Sequence, residues 1–164
     1  MLIIGEGPGA TEVVMGRPFV GVAGQLLRRT LLLGVEHKVF ISNLVACRPR
    51  QGSTNRPPTD HEVAVCHPRL KALIAILRPQ MIIALGRCPQ TYLMPQAVRN
   101  EVSAQSLLEP DIAPLASKGC VSLPLYHPSF ICRRGGEAAR IQDPLVDNAL
   151  IAYEVVRQVI AAME

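Results

Sequence analysis

The sequence has no tryptophan, and tyrosine and phenylalanine occur three times each. No apolar run approaches the roughly 18–20 residues that span a bilayer. A secretion signal is missing as well, because Met1 to Ile4 run straight into Gly5 without a basic leader or a cleavage site. Membrane-spanning and exported classes are therefore not expected; the expectation is a soluble, cytoplasmic chain with no membrane partner. Lysine is scarce: 14 of the 17 cations are arginine, in a chain of net charge +4. The guanidinium fork suits phosphate oxygens better than an ammonium does, which makes a nucleic-acid partner plausible. The five cysteines are odd in number and form no C-x-x-C pair, so a disulfide framework is not expected. Against these absences stand 49% hydrophobic and 18% charged residues over 164 positions, the make-up of one compact domain spanning residues 1–164.

Apolar runs alternate with helical patterns, which predicts one α/β unit. Met1–Ile4 reads as a short buried strand entering the tight loop Gly5-Glu6-Gly7-Pro8-Gly9. From Val22 a helix is expected with Leu26, Leu27, Leu31 and Leu33 inward, stopped by Gly34. Val39–Ile41 reads as a second strand with Asn43 at its carboxyl edge. Residues 47–60 are polar and rich in Pro and Gly, and no regular element is predicted there. Thr59 and Glu62 have capping-box spacing, predicting a helix that Pro68 kinks or splits and that turns Val63, Leu70, Leu73, Ile74 and Leu77 inward. Met81–Leu85 reads as a central strand and Pro89–Leu93 as a short helix. Residues 95–119 read as irregular. Val121–Leu125 reads as a strand near an edge because of Pro124, and Pro144–Met163 as a helix with Leu145, Ala149, Ala152, Val156 and Ile160 on one side.

Three predicted strands end in polar residues: Glu6, Asn43 and His127. In open parallel sheets ligands bind at the carboxyl ends of strands, so these three are expected to converge. The glycine loop does not fit a dinucleotide fingerprint, since Gly9 comes one residue early, and no nucleotide cofactor is expected. It suits close backbone approach and a carboxylate that positions water. Phe19, in the glycine-bounded loop 16–21, is either core or a ring for stacking on a base. Asn43 is either a turn cap or a reader of a pyrimidine edge. His127 is either structural or a donor to a developing anion, with Arg133 and Arg134 behind it for phosphate. Cys47, His61, Cys66 and His67 match no compact zinc spacing, and no metal site is expected from them.

Taken together, GEGPGATEVVMGRPFVGVAGQLL at 5–27, SNLVACRP at 42–49, NRPPTDHEVAVCHPRL at 55–70, RPQMIIALGR at 78–87 and YHPSFICR at 126–133 resemble the motifs of the uracil-DNA glycosylase superfamily, in order and rough spacing. The similarity is to family 4, the iron–sulfur uracil-DNA glycosylases, and covers nearly the whole chain. It implies a single-domain three-layer α/β/α sandwich with a central, mainly parallel four-stranded sheet. It also implies a role for each matching residue. Glu6 positions the hydrolytic water and His127 stabilises the departing base. Phe19 stacks on the flipped base, Asn43 reads its edge, and Glu12 lies near C5, where it helps to reject thymine. Ser129 and Arg133 engage DNA, and Arg134 with Arg48, Arg50 and Arg56 of the long loop is expected to border the pocket and follow phosphates.

The same resemblance implies a [4Fe–4S] cluster on four cysteines. Cys47 and Cys66 match its second pair, while this sequence starts at the first strand with no counterpart to the first, so the expectation is no cofactor and no intact cluster. The Cys47–Cys66 loop is longer than the family pattern and Val13 replaces an acidic residue. The KRRIH insert of covalently trapping relatives is absent. The implied activity is that of a monofunctional DNA glycosylase, a hydrolase acting on DNA as a monomer, with uracil as first substrate. The competing readings are a glycosylase for modified cytosine in foreign DNA and a catalytically silent DNA-binding module.

Overall fold

A computed structural model describes residues 1–94 and 119–163. Four parallel strands make the central sheet: β1 (Leu2–Gly5), β2 (Phe40–Asn43), β5 (Met81–Leu85) and β6 (Val121–Leu125), in the order β2-β1-β5-β6. Around it lie α1 (Ala10–Met15), α2 (Val22–Arg29), α3 (Asp60–Leu77), α4 (Arg87–Leu93), α5 (Pro128–Arg133) and α6 (Pro144–Ala162). The pleat explains the layering. Along β1 and β5, Ile3, Met81, Ile83 and Leu85 pack into one core with α2, α5 and α6 residues such as Leu26, Ile131 and Tyr153. Their neighbours Leu2, Ile4, Ile82 and Ala84 face the opposite core with Val63, Leu70 and Ile74 of α3. A strand buried on both faces reads as a continuous apolar run, which is why MIIAL carries no polar residue. The expected α/β/α sandwich is therefore present, with Pro124 in an edge strand. No described helix is long and apolar enough to cross a membrane.

Four local expectations need correction. A two-stranded antiparallel hairpin, β3 (Arg50–Gln51) with β4 (Thr54–Asn55), lies in the segment expected to be irregular; Gly52 at φ 58° turns it. α3 runs unbroken through Pro68, its capping box formed by Thr59 and Glu62, which Arg56 also grips. α2 ends at Arg29 rather than continuing to Gly34, so Leu32 is buried and Leu33 exposed. In α6 it is Val146, Leu150 and Tyr153 that join the buried face, and Leu145 is exposed. Residues 95–118 of the stretch read as irregular lie outside the described residues.

Candidate active site

The carboxyl ends of β1, β2 and β6 open into one cleft of about 1340 Å³, lined by Glu6, Phe19, Asn43 and His127 with Ser129 and Arg133. The parallel register sets Gly5 opposite Asn43, and a side chain at position 5 is impossible without movement. A Cβ there would sit 2.5 Å from Phe19 Cζ and 2.6 Å from Asn43 Oδ1. Gly5 thus lets ring and amide close over the sheet edge. Phe19 itself has φ 53°, an unusual conformation for a side chain of this size. Two devices hold it there. Glu12 Oε1 accepts the backbone N–H groups of Val20 at 2.9 Å and Gly21 at 2.7 Å, and Arg28 Nε donates to the Phe19 carbonyl at 3.3 Å. Gly24 of α2 supplies the room, since a Cβ on it would run into the Phe19 carbonyl group.

Asn43 is buried, and its Oδ1 has no hydrogen-bond partner among the described residues. Its backbone is fixed from α3, where Arg69 donates to the Asn43 carbonyl at 2.6 Å and to Ser42 Oγ at 3.2 Å. His127 caps α5: Ser129 N donates to His127 Nδ1 at 3.1 Å, and Ser129 Oγ lies 2.8 Å from the same nitrogen. Because a backbone N–H can only donate, Nδ1 is the acceptor, and the ring proton of neutral His127 belongs on Nε2. Burial, helped by the Arg133 charge, lowers the His127 pKa to about 4. Arg133 Nη1 donates to Ser129 Oγ at 3.1 Å, completing a chain from guanidinium to imidazole. The His127 and Phe19 rings lie 5.7 Å apart. Burial raises the Glu6 pKa above the ordinary glutamate value, and Arg133 pulls it back. Glu6 in turn helps burial push the thiol of Cys88, another cleft residue, up to about 12.

The expected convergence of Glu6, Asn43, His127 and Phe19 is thus found. Glu12 also lines the cleft, with its carboxylate engaged by the Phe19 loop; burial alone would raise its pKa, but the amides of that loop hold it below the usual value. The arginines divide. Arg133 and Arg56 reach the cleft, although Arg56 is forked onto Glu62 at 2.7 and 2.8 Å. Arg48, Arg50 and Arg134 are not among its lining residues, contrary to expectation. Arg48 instead ties the hairpin together through Asn55 Oδ1 at 2.7 Å and the Ser53 carbonyl at 2.8 Å, Arg50 sits exposed on β3, and Arg134 pairs with Asp143. The reading of the sequence missed Arg69 and the spacing roles of Gly5 and Gly24. A glycine inside a helix, which costs about 1 kcal/mol relative to alanine, was the available signal for Gly24.

Cys66 Sγ accepts the Ala46 N–H at 3.4 Å, which brings it beside the chain at Cys47. Cys88 lines the cleft, Cys120 is buried and Cys132 lies on α5. Among the described residues no three His, Cys, Asp or Glu side chains gather as a metal-binding group. The described donors therefore do not by themselves fit a four-thiolate cluster.

Fold and site together define an α/β protein with a cleft at the carboxyl edge of a parallel sheet. The chain belongs to the uracil DNA glycosylase superfamily, whose family model matches residues 1–147. It is 39% identical over 151 residues to a Type-4 uracil-DNA glycosylase of Pyrobaculum aerophilum, covering 88% of this chain and 74% of that protein. A Type-4 uracil-DNA glycosylase of Thermotoga maritima is 38% identical over 86% of this chain and 71% of its own length. One from Saccharolobus solfataricus is 47% identical over a shorter stretch, 57% of this chain and 43% of that protein, so under half of that relative's length is spanned.

Proposed function

We propose that this protein is a monofunctional DNA glycosylase that hydrolyses the N-glycosidic bond of uracil flipped out of DNA, leaving an abasic site. The observation that carries the reading is Asn43 Oδ1, a buried acceptor in the cleft lining with no partner among the described residues. Leaving such a group unpaired costs about 1–3 kcal/mol, which a ligand N–H recovers. Uracil offers N3–H to that oxygen and O4 to the amide nitrogen, while Phe19 supplies the stacking face.

Bond cleavage leaves positive charge on the sugar and negative charge on the base. Neutral His127 donates its Nε2–H to the departing uracil oxygen. At a pKa near 4 it stays neutral at pH 7, so donation does not require an imidazolium. Glu6, as the carboxylate, steadies the sugar cation, orients the water whose oxygen bonds to C1′ as the C1′–N1 bond breaks, and takes the proton that this water loses, which then passes to solvent. The electron pair leaves with uracil, which then takes up a proton from solvent. Arg133 and Ser129 engage the phosphate beside the extruded nucleotide. Glu12 acts through Phe19, by holding the loop that presents the ring. The two relatives named as Type-4 uracil-DNA glycosylases support the same substrate.

The test is release of free uracil from a single-uracil oligonucleotide, followed by cleavage of the abasic product. Wild type is expected to yield product, and Glu6→Gln to bind the DNA without yielding it. No product from wild type refutes the reading.

A further inference from the structure

Beside the cleft lies an aromatic pair that the reaction does not use. Tyr126, the residue between β6 and His127, stacks on Phe130 of α5 with ring centroids 4.9 Å apart and planes at 18°. Both rings line the cleft, yet Tyr126 remains 47% exposed. Phe130 also leans on the hydrophobic core, whereas the half-exposed Tyr126 ring is not part of it, so core packing does not explain Tyr126. The pair is also braced. The Tyr153 hydroxyl donates to the Tyr126 carbonyl, and Phe130 N donates to the His127 carbonyl at 2.9 Å. Arg134 lies 5.4 Å from the Phe130 ring centre and is itself held by Asp143, the cap of α6.

We propose that the Tyr126–Phe130 stack is a second nucleobase subsite, holding a base adjacent to the flipped one on the same strand by face-to-face stacking. The inference rests on the glycosylase reading, because it takes the cleft to hold DNA. Charge supports it, with Arg133 lining the same cleft as both rings to meet the sugar–phosphate chain. Aromatic faces accept any base, so the subsite recognises a stacked nucleobase without reading its identity.

The experiment places the fluorescent base 2-aminopurine next to uracil in single-stranded oligonucleotides, on the 5′ side in one and the 3′ side in the other. Binding is measured in the Glu6→Gln background, where no product forms. One of the two labels is expected to be quenched on binding. Adding Tyr126→Ala or Tyr126→Leu removes the quench and weakens binding roughly tenfold to hundredfold, whereas Tyr126→Phe keeps both. Quench and affinity unchanged in Tyr126→Ala overturn the proposal, as does equal loss in Tyr126→Phe, which would assign the effect to the hydroxyl. If wild type still releases uracil in either case, the glycosylase reading stands alone. Wild type that neither releases uracil nor quenches a label removes both.

Discussion

Glu6 and His127 are set in opposite directions by the same burial, and each therefore has its own pH signature. Burial raises the pKa of the Glu6 carboxyl, so it protonates at a higher pH than an ordinary glutamate and base release declines on acidification. Arg133 opposes the rise; under single-turnover conditions at saturating protein, Arg133→Gln is expected to move the acid limb to higher pH. Glu6→Gln removes a half-buried carboxyl whose charge burial disfavours, so it should raise the melting temperature at pH 7 while abolishing base release. His127 is buried neutral, with a pKa lowered from 6.5 to about 4. Between those values the unfolded chain binds the extra proton, so stability is present above pH 6.5 and is lost as pH falls towards 4. The amount is about 3 kcal/mol at most. Urea melts at pH 7 and pH 4.5 should show this loss in wild type and a smaller one in His127→Asn.

At the level of elements, the site depends on loops held by specific side chains. Gly24→Ala, which in an open helix would stabilise by up to about 1 kcal/mol, is expected to destabilise by about 1–3 kcal/mol, because its methyl group meets the Phe19 carbonyl. A thermal melt decides the sign. Glu12→Ala frees the Val20 and Gly21 amides and should reduce base release even at saturating DNA; an unchanged maximal rate would show that the Glu12 bonds do not position Phe19. These contacts mark the limit of what the sequence disclosed. β5 was legible because a strand covered on both faces must be apolar throughout, and α3 because Thr59 and Glu62 announce its start. Asn43 and His127 were legible because polar residues closed apolar strands. The β3–β4 hairpin was not, since two exposed residue pairs leave no hydrophobic period. Nor was Arg69, whose hydrogen bonds cross to β2 from 26 residues away. The early stop of α2 was hidden by the leucines that follow it, of which Leu31 and Leu32 pack in the core without helical continuity.

For the molecule as a whole, the count of 17 lysines and arginines overstates what is free for DNA. Arg28, Arg29, Arg56, Arg134 and Arg140 each pair with a carboxylate, whereas Arg133 donates to Ser129 in the cleft. Binding should therefore weaken with salt, and Arg133→Gln should reduce the slope of log affinity against log salt by about 1 for every sequence alike. An unchanged slope and affinity would remove Arg133 from the phosphate contacts. The central claim is that the cleft reads uracil, and its most direct test is the single-turnover rate of base release from matched oligonucleotides. These carry uracil, thymine, cytosine, hydroxymethylcytosine or glucosylated hydroxymethylcytosine at one position. The account predicts release from uracil at a rate far above the other four, abolished by Glu6→Gln. Release from a modified cytosine with none from uracil would contradict it.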